Sequence, residues 1–76
     1  MTQSDKYITT ITPKTMGTMI RRLREAKGMS QGEVARRAKL AREHLNRLEA
    51  GRYDPSVGTL VRIAKALGVP VTKLLQ

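Results

Sequence analysis

Apolar residues fall at helical spacing in five short runs, each closed off by glycine, proline or a capping residue. Met16, Met19, Ile20 and Leu23 make the first inner face. Its helix starts at Thr12-Pro13, where proline at the first helical position loses nothing by lacking an N–H, and ends at Lys27-Gly28. Gly17 is expected to weaken the first turns of that helix. Met29 links into the second run as a core staple. Ser30 followed by Glu33 reads as a capping box, and Val34, Ala35 and Ala38 share one face of a helix from Gln31 to about Lys39. After a break at Lys39-Leu40, Ala41, Leu45 and Leu48 mark a third helix that Gly51 stops. Ser56 caps a fourth helix, with Leu60, Ile63, Ala64 and Leu67 inward and Gly68 as its end. Pro70 opens a short last helix carrying Val71, Leu74 and Leu75. The pattern predicts an all-α fold, a compact five-helix bundle.

Residues 1–12 fall outside this periodicity. Tyr7, Ile8 and Ile11 alternate loosely with threonine, a spacing that also suits a short strand. The expectation is a flexible N-terminal arm over 1–12 and one folded domain over 13–76. At 76 residues the chain is near the lower end of what folds alone. It has no cysteine, so a disulfide framework and a cysteine-based metal site are excluded. No apolar run approaches a membrane span, and the polar first residues do not form a secretory signal. A cytoplasmic protein with no membrane partner is expected.

Charge changes the picture more. Fifteen basic against six acidic residues give a formal charge of +9. Between Lys14 and Arg52 lie eleven bases and four acids, so most of the excess sits in the middle of the chain. That distribution is the footprint of a polyanion partner, with a plain solubility charge as the weaker reading. Two tyrosines and no phenylalanine or tryptophan speak against a membrane surface and against single-stranded RNA. Catalysis has little to work with. One histidine, no cysteine, no paired carboxylates in an apolar setting and no phosphate-binding glycine loop predict neither an enzyme nor a cofactor or metal site.

The outward face of the third helix is the informative one. Arg42, Glu43, Asn46 and Arg47 point away from its apolar stripe, with His44 and Glu49 at the margins. Arginine, asparagine and glutamate match the donor and acceptor patterns of guanine, adenine and cytosine in a major groove. A solvated helix face is the alternative.

The segments RRLREAKGMSQ, E-V-A, L-x-R-L-E-A-G and P-S-x-x-T-L-x-x-I-A-x-A-L-G-V, in that order, resemble the Cro/CI-type (XRE) helix-turn-helix family of phage repressors and bacterial regulators. The resemblance runs from about Met16 to Leu75. It implies a lambda-repressor-like bundle whose third helix, about residues 41–50, enters the major groove of double-stranded DNA. It places Arg42 and Glu43 first at the base edges, with Asn46 and Arg47 a turn later. Phosphate contacts are expected from Gln31, which the family uses in this way, and from Arg52 and Tyr53 in the following loop. His44, Arg37 and Lys39 are further phosphate candidates. The resemblance also pairs Arg24 with Glu49 as a structural ion pair.

Many family members have glycine where this chain has Lys39, and a capping Ser or Thr where it has Ala41. Lys39 is therefore expected in the left-handed region, and the third helix is expected to lack a side-chain cap. Family members usually act as two-fold dimers. A homodimer is expected here, with Val69, Val71, Leu74 and Leu75 as interface candidates that equally suit the monomer core. The function implied is a sequence-specific DNA-binding transcriptional regulator, a repressor. The alternative is an antitoxin or interaction module that binds a protein partner through the N-terminal arm or the last helix.

Overall fold

The computed structural model describes residues 11–76, so the expectations for residues 1–10 of the arm, Tyr7 and Ile8 included, lie outside the described residues, whereas Ile11 is exposed and Thr12 belongs to the folded domain as the cap of its first helix. The chain forms α1 (Pro13–Ala26), α2 (Gln31–Ala38), α3 (Arg42–Glu49) and α4 (Val57–Leu67), followed by a 3-10 segment, Val71–Leu75. α1 packs chiefly on α3, and α2 on both α3 and α4. The 3-10 segment closes the bundle against α1 and α4. Ile20, Val34, Leu45, Leu48, Ile63 and Leu74 are fully buried where these elements meet. No described helix is long and apolar enough to cross a membrane.

Among the described residues the architecture is thus four α-helices and a 3-10 segment, not five α-helices. The last element is the correction. The five-residue segment Val71–Leu75 is wound more tightly than an α-helix: the Lys73 N–H closes the shorter i→i+3 loop onto the Pro70 carbonyl at 3.0 Å. That tighter turn drives Leu74 into the core.

Helix starts follow the side chains that satisfy free backbone N–H groups. Thr12 Oγ1 accepts from the Thr15 N–H at 3.1 Å, and Thr15 Oγ1 accepts from the Thr12 N–H at 2.8 Å, so α1 has a full capping box. Ser56 caps α4 by accepting from the Thr59 N–H at 3.1 Å. At α2 only half of the expected box forms. Ser30 Oγ accepts from the Glu33 N–H at 3.0 Å, but the Glu33 carboxylate accepts instead from Arg37 Nη2, one turn on, at 3.0 Å.

Lys39 ends α2 at φ 58°, the one positive φ among described residues other than glycine. This brings the Leu40 N–H back to the Ala35 carbonyl at 2.8 Å, and the Leu40 side chain packs on the core. Leu40 takes the place expected of Ala41. Ala41 is exposed, extended at φ −66° and ψ 143°, and gives α3 no side-chain cap.

Gly17 has the opposite role to the one its helix propensity implies. It is buried, and a Cβ there would overlap the Leu48 carbonyl oxygen and lie 2.8 Å from that of Glu49. Gly51, at φ 73°, also meets the start of α1 closely: its Cβ would fall 2.8 Å from Lys14 Cα. Two glycines therefore let α1 lie directly on the end of α3, which sets the height of α3 in the bundle.

Candidate nucleic-acid interface

α3 presents a polar edge because Leu45 and Leu48 hold its other side in the core. Arg42, Glu43, Asn46 and Arg47 are all exposed. An open cleft of about 540 Å³ lies between the starts of α2 and α3, lined by Gln31, Ala41, Arg42, Glu43 and Asn46. A second cleft of about 320 Å³ continues from it along α1, lined by Arg21, Arg24, Glu25, Gln31, Asn46, Glu49 and Ala50. Gln31 and Asn46 line both and form the ridge between them. Ala41, which lines this cleft, gives α3 no side-chain cap, so the first N–H groups of the helix have neither an intrahelical nor a capping partner. A helix N-terminus in that condition favours an anion.

Beneath the ridge is an ordered chain of hydrogen bonds. Arg24 Nε donates to Glu49 Oε2 at 2.6 Å, and Arg24 Nη2 donates to Glu49 Oε1 at 2.9 Å. Arg24 Nη1 donates to the Met29 carbonyl at 2.9 Å. The two side chains are 12% and 4% exposed, so the pair ties α1 and the α1–α2 turn to the end of α3 in a nearly dry setting. Glu49 holds the Arg24 guanidinium above its ordinary pKa, chiefly by hydrogen bonding and against the opposing effect of burial. Stability from that raised pKa is fully present below the ordinary arginine value and fades only as pH rises through the higher folded value. The guanidinium thus stays charged at any physiological pH.

Gln31 Nε2 then donates to Glu49 Oε1 at 2.9 Å, and Asn46 Nδ2 donates to Gln31 Oε1 at 3.3 Å. No buried side-chain nitrogen or oxygen among the described residues lacks a partner.

The structure does not gather all the phosphate candidates around α3. The His44 ring sits 4.9 Å from that of Tyr53, and the Tyr53 hydroxyl donates weakly to the His44 carbonyl at 3.5 Å. This contact fastens the loop after α3 to the flank of α3, with Arg52 exposed beside it. Arg37 and Lys39 lie elsewhere. They line a separate cleft of about 220 Å³ with Ala38, Arg62 and Lys65, formed by α2 and α4. The interface candidates also divide. Leu74 is fully buried, so it belongs to the monomer core and is not open to a second copy. Val69, Val71 and Leu75 are partly exposed at the core's edge. Sequence reasoning missed Gly17 and the Gln31 bridge; a glycine in an otherwise regular helix was the only available signal for the first. No described cluster of His, Asp or Glu is arranged to hold a metal.

Comparison with known proteins agrees with this geometry. The helix-turn-helix family model (HTH_3) matches residues 20–74. An HTH-type transcriptional regulator of Sinorhizobium fredii, y4dJ, is 42% identical over 62 residues, which are 82% of this chain and 80% of that protein. The immunity repressor protein of Bacillus phage phi105 is 36% identical over 61 residues, 80% of this chain but only 42% of the repressor. Among solved structures, the restriction-modification controller protein C.AhdI from Aeromonas hydrophila superposes with a TM-score of 0.81 at 30% identity, covering 83% of this chain and 96% of that one. The clp gene regulator ClgR from Corynebacterium glutamicum gives a TM-score of 0.79 at 29% identity, over 82% and 80% of the two chains. The α2–turn–α3 unit, its polar edge and these likenesses lead to one conclusion: the chain belongs to the Cro/CI-type helix-turn-helix family of non-enzymatic, DNA-binding transcriptional regulators.

Proposed function

We propose that this chain reads a specific sequence in duplex DNA by placing α3 in the major groove, and that it acts as a homodimeric repressor on a two-fold operator. The observation that carries the proposal is the open cleft at the start of α3, where Arg42, Glu43 and Asn46 stand exposed beside Gln31. Arg42 leads, able to donate two bonds to guanine O6 and N7. Glu43 accepts from cytosine N4, and Asn46 and Arg47 read one turn further along. Each good bidentate contact discriminates by about 1–3 kcal/mol.

Phosphate contacts come from the uncapped start of α3, the remaining N–H of Gln31, and Arg52 in the loop pinned by Tyr53. A single domain reads few base pairs, so two-fold pairing through the partly exposed Val69, Val71 and Leu75 would double the site. The repressor role is supported by the phage immunity repressor among the relatives. The test is selection from a random duplex pool at two salt concentrations, with sedimentation of the free protein alongside. The expected result is a palindrome with half-sites one helical turn apart and a dimer at binding concentrations. Salt-labile binding without sequence preference would refute the proposal.

A further inference from the structure

We infer that Glu49, whose side chain is nearly buried beneath Gln31 and Asn46, sets the direction in which Asn46 presents its amide to a base. The inference rests on the proposed reading of DNA by α3 and adds a residue that controls specificity without touching DNA. The chain Arg24–Glu49–Gln31–Asn46 is polar in the literal sense. A carboxylate oxygen that receives a hydrogen bond acts as an acceptor, and both Glu49 oxygens receive one from the Arg24 guanidinium. Gln31 must therefore turn its NH₂ toward Glu49 Oε1, at 2.9 Å. Its oxygen is then left facing Asn46, which must donate, at 3.3 Å. Each amide has two orientations of nearly equal shape, and the charge at the buried end selects one for both.

The consequence appears at the surface. Asn46 uses one N–H on Gln31, which puts its nitrogen on the Gln31 side and its oxygen on the far side. The second N–H and the oxygen remain for a base. An adenine edge offers N7 as acceptor beside an N6 donor, so it pairs with an asparagine whose donor and acceptor lie in one particular order. Turning the amide over reverses that order at the same place in the groove. Glu49 is thus a positioning residue. Fixing the order before binding also spares the complex the entropy of choosing it.

Glu49→Gln separates this role from simple scaffolding. It keeps size and shape, but the new side chain has one acceptor where the carboxylate had two, so nothing compels Gln31 to donate. The full chain is tested without DNA first, by the NMR signals of the Gln31 and Asn46 side-chain NH₂ groups. Both sets are expected to move or split in Glu49→Gln. Gln31→Leu breaks the relay at a half-buried position while sparing the ion pair, and covers the case in which Glu49→Gln does not fold; its lost phosphate contact weakens binding to all sequences alike and leaves the base preference to report on the relay. In that variant the Asn46 NH₂ signals are expected to move.

Selection from a random duplex pool follows, with Asn46→Ala as the reference. Glu49→Gln and Gln31→Leu are expected to lose on the order of tenfold in preference at the base pair that Asn46→Ala relaxes, with the Arg42 position unchanged. Unmoved Asn46 amide signals in the folded variants would overturn the relay, whatever the DNA results. If Asn46→Ala relaxes one position but Glu49→Gln and Gln31→Leu leave it sharp, the relay also fails. If Asn46→Ala relaxes none, base reading by Asn46 fails instead, and the inference goes with it.

Discussion

Gly17→Ala discriminates between local and tertiary physics, because the two predict opposite signs. Within an isolated helix the change gains about 1 kcal/mol of propensity. In this bundle the new methyl would overlap the Leu48 carbonyl oxygen, and lie 2.8 Å from the Glu49 carbonyl oxygen and 3.0 Å from its carbon. These are backbone atoms, so no rotamer change relieves them; α1 and α3 must move apart. Overpacking of this kind costs about 1–3 kcal/mol, more where backbone has to shift. Taking the upper part of that range, because two backbones must separate, the net expectation is a loss of about 1–2 kcal/mol after the propensity gain. For a domain of this size that lowers the thermal midpoint by roughly 4–15 °C. Gly58→Ala is the control, since its Cβ meets only Ser56 Oγ, at 3.9 Å. It should hold or raise the midpoint by the ordinary propensity gain. Thermal melts followed by circular dichroism decide. A rise in Gly17→Ala equal to that in Gly58→Ala would refute the claim that α1 rests on the α3 backbone.

Other substitutions probe separate parts of the account. Arg24→Ala leaves the Glu49 carboxylate, 4% exposed, without its guanidinium and should cost about 3–5 kcal/mol, read as a large drop in the urea midpoint. An unchanged midpoint would show that the pair is not structural. Lys39→Gly relieves a left-handed lysine at φ 58° and should stabilise by about 0.5–1 kcal/mol. If Lys39 also meets phosphate, the same variant lowers the slope of log K against log salt by about 0.9; an unchanged slope removes it from the interface. Tyr53→Phe loses only a 3.5 Å hydrogen bond and keeps the ring against His44, so stability should change by less than about 0.5 kcal/mol. A larger loss would mean that the hydroxyl carries more than its geometry allows.

Local chemistry made most helix ends legible. Thr12-Pro13, Ser30 and Ser56 open α1, α2 and α4, and glycines follow three of the helices, because caps act within a few residues of chain. The left-handed Lys39 belongs to the same class, since it fills the place a glycine would take after α2. What remained hidden depends on partners far along the chain. Gly17 looked like a weakness because its reason lies some thirty residues on, at the Leu48 carbonyl. Glu33 had two partners within reach, the Ser30 N–H and Arg37, and spacing could not rank them. Leu40 and Ala41 exchange roles because the αL turn rotates the chain between them. At the site, outward residues on α3 were readable from period alone, whereas the bridge by Gln31 requires the starts of α2 and α3 to be side by side.

The central claim is that α3 reads bases and that Arg42 leads. Its most direct test is selection from a random duplex pool by the wild-type chain and by Arg42→Ala in parallel. The account predicts one enriched palindrome for the wild type, with a single position in each half-site relaxed in Arg42→Ala and the remaining positions kept. A uniform weakening of all positions in Arg42→Ala, with the same consensus, would assign Arg42 to phosphate and contradict the account.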